Sequence, residues 1–400
     1  MKDQTTIPAG WAPQAHQHWL AGERKEAIEA VLAVINASPK RIPHKPAVQF
    51  AYYLAMLNDW AAAARILVRV CETYPEDIEA LLNLGVCRSR SGDVRGALES
   101  LQVYISKDPD NPVAWDSMAS VCYRLDQPDQ ARAAGERALV LKDAGSKPPP
   151  ETWTLPAGRP SATAQQPGKR HIISFSLWGN KLRYLRGALR NALLVHDIYP
   201  GWRCRFHADA SVPDEFLNVL RNLGAEIVND PSIDGMPGNQ ERLARRFWVA
   251  NDPKVGYFIV RDCDSVIGER EAEAVQDWLA SDKWFHVMRD WWTHTDLVLG
   301  GMWGGVAGVL PDMCTLFNDY RSGHAETPNW DQWFLRDCIW PYIRASCLVH
   351  DRCFQVPGAR PFPGKAPAGN YHVGQDEFAA NPEAQARILK PWIEQLSCLR

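Results

Sequence analysis

Two successive architectures are predicted for this 400-residue chain, an all-α solenoid of helical repeats followed by an α/β domain built on a mixed, mostly parallel sheet. Three observations carry the prediction. Small and helix-terminating residues recur every 34 positions in the first third, a proline-rich stretch follows, and beyond it short apolar runs alternate with helical ones. The length is ample for two cores. Hydrophobic residues at 46% and charged residues at 23% exclude a chain that is disordered, collagen-like or coiled-coil throughout.

The repeat is read from Ala63, Ala97 and Ala131, and from Pro75 and Pro109, each set spaced by 34. On that frame Gly85 and Ala97 supply the small residues that let antiparallel helices approach, Gly92 supplies the turn, Leu101 an apolar position and Pro109 the stop. The next unit offers Trp115, Ala119, Ala131, Ala138 and Leu139 in register, and the preceding one Ala51, Leu54, Ala63 and Leu67. An earlier unit with Ala15, Gly22 and Ala27 fits after a two-residue slip. The pattern resembles the tetratricopeptide repeat over residues 8–145, four units in all, a fold that implies a groove for an acceptor or partner protein.

Residues 146–170, with Pro148, Pro149, Pro150, Pro156 and Pro160, read as a linker because proline disfavours regular structure. From there to residue 400, strands at 171–177, 202–207, 225–228 and 257–261 alternate with helices at 181–196, 214–223, 240–250 and 269–280, and another strand follows at 284–289. Such an order implies parallel strands with helices on both faces, and such sheets bind ligands beyond the carboxyl ends of their strands. Chemistry is therefore expected just after a strand.

Asp262 and Asp264 stand at such a place, with Cys263 between them turned the other way. Two clustered carboxylates repel unless a cation or hydrogen-bond donors offset them, and oxygen ligands suit Mg²⁺ or Mn²⁺. The plain alternative is that they shape a turn and cap the next helix. Gly300-Gly301-Met302-Trp303-Gly304-Gly305, Asp331-Gln332 and Tyr371-His372-Val373-Gly374-Gln375 follow in order. Together with the Asp-x-Asp they resemble a GT-A glycosyltransferase domain with a Rossmann-like mixed sheet, closest in order to the glycogenin-like transferases, over residues 170–376. The His372 element is one residue shorter than in that family and lacks the Lys-Pro-Trp that follows there.

That resemblance implies a nucleoside-diphosphate sugar as donor, Mn²⁺ or Mg²⁺ as cofactor, and a protein or glycan acceptor. It implies Asp264 on the metal, Asp262 on the metal or the donor ribose, His372 as a third ligand, and Gly300, Gly301 and Trp303 beside the donor. Asp331 becomes the candidate base or sugar-hydroxyl acceptor, with Gln332 as its hydroxyl partner. Arg242, Arg245 and Arg246 share one helical face, with Arg245 and Arg246 as candidates for diphosphate oxygens. The plain readings are a helix cap for Asp331 and a solvated basic face for the arginines.

Asp290 and His294 flank the strand leading to the glycines, where an acceptor would enter; a loop histidine is otherwise an ordinary satisfied polar residue. Of 17 tryptophans 13 follow residue 150, and Trp291, Trp292, Trp303, Trp330 and Trp333 are expected beside the site as sugar platforms, Trp278, Trp284 and Trp340 in the core.

The charge sum of −3 gives no drive toward nucleic acid or anionic lipid. With no apolar leader or bilayer-length run, a cytoplasmic chain without a transmembrane segment is expected. Ten cysteines without a Cys-x-x-Cys pair read as reduced thiols. Two other functions share these features: a catalytically silent repeat scaffold that binds peptides, and a metal-dependent nucleotidyl transferase, although no Gly-x-x-x-x-Gly-Lys-Ser/Thr phosphate loop is present.

Overall fold

The computed structural model describes residues 7–38, 40–160, 168–229, 240–321, 330–354 and 356–400. The chain divides into two compact units, Met1–Ala144 and Gly145–Arg400. Among the described residues no helix is long and apolar enough to cross a membrane. All ten cysteines are free thiols.

The first unit is helical: α1 (Pro13–Leu20), α2 (Arg24–Asn36), α3 (His44–Met56), α4 (Trp60–Thr73), α5 (Ile78–Ser91), α6 (Val94–Lys107), α7 (Pro112–Arg124) and α8 (Pro128–Ala144). Ala63, Ala97 and Ala131, the residues that revealed the period, are fully buried, as small residues at close helix crossings must be. Asp59, Asp77, Asp93 and Asn111 each cap a helix N-terminus, accepting from the backbone N–H of Ala62, Ala80, Gly96 and Val113 at 3.0 Å. These caps lie on the same 34-residue frame. So do the turns within the repeats: Asn58 (φ 64°), Gly92 (φ 97°) and Asp126 (φ 58°) are all left-handed, and Gly22 (φ 83°) is the two-residue slip. The turn geometry fixes the residue type, because glycine, asparagine and aspartate tolerate this backbone best.

The second unit holds one eight-stranded sheet: β1 (Arg170–Leu177), β2 (Trp202–Ala208), β3 (Glu226–Asn229), β4 (Val255–Val260), β5 (Phe285–Arg289), β6 (Trp303–Val306), β7 (Cys347–Asp351) and β8 (Arg360–Pro361). Its helices are α9 (Leu182–Ile198), α10 (Asp214–Asn222), α11 (Gln240–Ala244), α12 (Glu269–Ala280), α13 (Met313–Arg321), α14 (Trp330–Phe334), α15 (Trp340–Ile343), α16 (Glu377–Ala380), α17 (Pro382–Ile388) and α18 (Lys390–Gln395). The strand order is β3-β2-β1-β4-β6-β5-β7-β8. All pairings are parallel except those of β6, which runs antiparallel between β4 and β5. Thus the glycine-rich segment at 300–305 is partly a strand, with Gly304 opposite Ile259 and His286. Every residue of β4 is buried, which is why its sequence is an unbroken apolar run.

Part of the proline-rich stretch packs on this unit: Arg159 donates to the carbonyls of Ser281 (2.7 Å) and Leu279 (3.2 Å), Tyr257 to that of Pro160, and Trp153 to that of Val309. Residues 161–167 lie outside the described residues.

Replacing Gly92 by valine forces a β-branched side chain into the left-handed turn and should cost about 1–2 kcal/mol in a urea melt, whereas Asp126→Gly should leave stability equal or higher. Unchanged stability in the valine variant would contradict the turn assignment.

Candidate functional site

Strands β1 and β4 are neighbours whose chains leave in opposite directions, β1 toward β2 and β4 toward the far half of the sheet. A crevice must open between such strands at their carboxyl ends. A cavity of about 530 Å³ lies there, lined among others by Ser176 at the end of β1 and Trp178 after it, Tyr184 on α9, Asp262 and Asp264 after β4, Gly300 and Gly301 before β6, and Asp331 and Gln332 on α14.

The loop carrying the two aspartates is pinned from beneath. Asn191 of α9, fully buried, donates to the carbonyls of Ser265 (3.1 Å) and Cys263 (3.4 Å) and accepts from the N–H of Ile267 (2.9 Å). Arg261 donates to Ser265 Oγ (3.0 Å) and the Gly301 carbonyl (2.8 Å), and pairs with Glu271 at 2.7 Å. Cys263 turns its thiol to the Ser176 carbonyl at 3.2 Å. Neither aspartate caps the next helix, since α12 starts after Gly268 with no side-chain cap. The side chains are held toward the cavity instead.

Arg246 is the centre of the site. Its guanidinium is 2% exposed and pairs with Asp262 on one side and with Asp331 Oδ2, at 3.1 Å, on the other. An expected diphosphate ligand is thus engaged by two carboxylates, one of them the predicted base. Gly300 and Gly301 close over this group: a Cβ at Gly300 would strike Asp331 and Arg246, and one at Gly301 would strike Asp262. The arginines expected on one face diverge. Arg242 pairs with Asp209 at 2.6 Å, and Arg245 lies over the Trp248 ring, 5.1 Å from its centroid, outside the cavity lining. The helix tightens to 3₁₀ winding at Arg245–Asn251, so neighbours 245 and 246 leave it roughly 100–120° apart.

The carboxylates titrate differently. Burial would push Asp262 up, but Arg246, helped by Arg261, brings it below its ordinary value. Asp264 is pushed up to about 6 by burial and then by Asp262 and Asp376, against the pull of Arg183. Asp331 is raised by burial, with Asp262 adding to the shift and Arg246 opposing it. Arg183, on the rim, stands 3.7 Å from Asp264 and 2.9 Å from Asp376.

Among the described residues no three His, Cys, Asp or Glu side chains are grouped to hold a metal, so His372 does not join Asp262 and Asp264 as a third ligand in this arrangement. It lines the cavity with Nδ1 2.9 Å from the Asn370 carbonyl and its ring stacked on Trp291 at 4.5 Å. Trp303 is buried in the core, edge-on to Phe258 at 5.2 Å, because side chains alternate along β6 and its own points away from the cavity. Of the tryptophans expected as platforms, none lines the cavity; Trp178 does. Asp290 is fully buried against Arg270 at 3.1 Å, while His294 lines the cavity.

Sequence reading missed Trp178, Tyr184, Asn191 and Asp376. Trp178 follows a strand end, and that rule alone would have flagged it. Asn191 and Asp376 are polar residues without a motif, and only the fold brings them to the loop after β4.

The tetratricopeptide-repeat family model matches residues 54–121, so these residues form such repeats. No curated protein matches the chain significantly. Among solved structures the chain is similar to MamA 41-end from Desulfovibrio magneticus RS-1, at 16% identity over 33% of this chain and 74% of that one, with a TM-score of 0.31. It is similar also to YrrB, described as a TPR protein with an unusual peptide-binding site, at 18% identity over 33% and 66% with a TM-score of 0.31. A third similar structure, MamA MSR-1 C2, gives 17% identity over 34% and 76% with a TM-score of 0.32.

The raised Asp264 carboxyl makes the native chain hold a proton longer than the unfolded chain does. Its contribution to stability is full below the ordinary value of 3.8 and is lost as pH rises through about 6. Asp264→Asn should therefore gain up to about 3 kcal/mol near pH 7.5 and nothing near pH 4, read by denaturant melts at both. Asn191→Ala, which removes all three loop bonds, should lose about 1–3 kcal/mol and speed amide exchange at Ile267. An unchanged exchange rate there would mean the loop is held by other groups.

Proposed function

We propose that the second unit is a metal-dependent glycosyltransferase that uses a nucleoside-diphosphate sugar, and that the helical repeats recruit its acceptor or a partner protein in the cytoplasm. One observation carries this reading. Among the described residues four carboxylates, Asp262, Asp264, Asp331 and Asp376, form ion pairs with two guanidinium groups, Arg246 and Arg183, a surplus of pairing carboxylates equal to the charge of one divalent cation. The all-oxygen donor set fits Mg²⁺ or Mn²⁺, which bind through one or two carboxylates together with substrate phosphates. Asp264 and Asp262 are the residues that would hold it.

When bound, the cation supplies Lewis acidity toward the diphosphate leaving group. The chain's own residues do the rest. Arg246 keeps Asp262 ionised and holds Asp331 beside it. Asp331 sits where it can accept a hydroxyl's proton or hydrogen bond, with Gln332 next to it on the cavity wall. Gly300 and Gly301 let the backbone approach without displacing those carboxylates. The match of residues 54–121 to a repeat family whose stacked helices form binding surfaces supports the recruiting role.

A second reading, a catalytically silent scaffold, is favoured by the same Arg246 pairing, since it satisfies two of the carboxylates without any metal. Thermal shift with UDP- and GDP-linked sugars, with and without Mn²⁺, separates the two. The transferase reading expects a rise of several degrees with both ligands present, and its loss in Asp264→Ala. No shift with any donor, beside a tight peptide complex of the repeats, supports the scaffold. A nucleotidylated product in place of a glycosylated one would move the assignment to nucleotidyl transfer.

A further inference from the structure

The cavity wall contains a hydrogen-bond donor to which the reading above gives no role. His294 is 9% exposed, and its Nδ1 accepts the backbone N–H of Asp290 at 3.0 Å. Asp290 is itself paired with Arg270 at 3.1 Å and accepts the N–H of Val373 at 2.9 Å. An Nδ1 that accepts leaves the neutral ring's proton on Nε2. The ring is held edge-on to His372 at 5.4 Å, and His372 is stacked in turn on Trp291. Orientation and tautomer are therefore both fixed by the protein. Among the described residues Nε2 has no hydrogen-bond partner, and the residue lines the cavity.

We propose that the Nε2–H of His294 reads a sugar hydroxyl in this cavity. A neutral donor among surplus carboxylates suits a neutral hydroxyl oxygen, while phosphate oxygens go to the cation. The proposal rests on the glycosyl-transfer reading and deepens it to substrate recognition. The hydroxyl belongs either to the donor sugar or to the acceptor.

Two substitutions separate the two ring nitrogens. In His294→Asn the side-chain oxygen takes the place of Nδ1 for the Asp290 N–H and the cavity donor is lost; in His294→Gln an amide nitrogen reaches the place of Nε2. Calorimetry with UDP- and GDP-linked hexoses, and with UDP and GDP alone, is the measurement. We expect His294→Asn to bind the sugar nucleotides roughly 3- to 10-fold more weakly with unchanged affinity for the free diphosphates, and His294→Gln to stay near wild type. Unchanged donor affinity with slower transfer to hexose acceptors assigns the hydroxyl to the acceptor. Unchanged binding and transfer, or equal loss for the free diphosphates, overturns the proposal. A wild-type chain that binds no sugar nucleotide defeats the glycosyl-transfer reading and this one with it. The ¹⁵N spectrum of the His294 ring reports independently of ligand: bare Nδ1 and protonated Nε2 are expected, and the reverse tautomer overturns the proposal.

Discussion

A guanidinium removed from water has to be met by charge, and Arg246 is met twice, by Asp262 from the end of β4 and by Asp331 from the start of α14. Leaving such a cation buried and unpaired costs several kcal/mol, so the two elements are tied to each other through it. The rest of the cavity follows from that tie. Glycine is required at 300 and 301 because any side chain there would enter the ion pair. Asp264, left outside the pair, is raised first by burial and then by Asp262 and Asp376, and holds its proton to about 6.

The helical unit has its own governing constraint. A repeat of 34 residues survives only if each turn can be made and each helix pair can close, and the two requirements fall on different residues. Left-handed turns at Asn58, Gly92 and Asp126 and the caps at Asp59 and Asp93 meet the first. Buried alanines at 63, 97 and 131 meet the second. Backbone geometry and packing thus impose one period on unlike side chains.

Legibility in the sequence followed the range of the physics involved. Strand β4 and the acidic pair behind it were legible because a strand buried on both faces is an apolar run and its end is where polar residues must begin. Adjacent Arg245 and Arg246 were not separable, since helical spacing gives a direction but not the partner that a direction meets. Trp303 was misplaced for a related reason. The glycines around it suggested a place beside the donor, but strand pairing of β6 with β4 and β5 carries its ring into the core.

By itself the sequence determined the period of the helical unit, the alternation of strand and helix, and the strand end at which carboxylates gather. All three are set by neighbours along the chain, through turn geometry, helix spacing and side-chain alternation. Tertiary structure alone decided that β6 enters the sheet antiparallel, that Arg246 joins Asp262 to a residue 85 positions from itself, and that Asn191 pins the loop after β4 from α9. Those are meetings between distant segments, and the free energy that selects them resides in burial and charge pairing that exist only once the chain has closed.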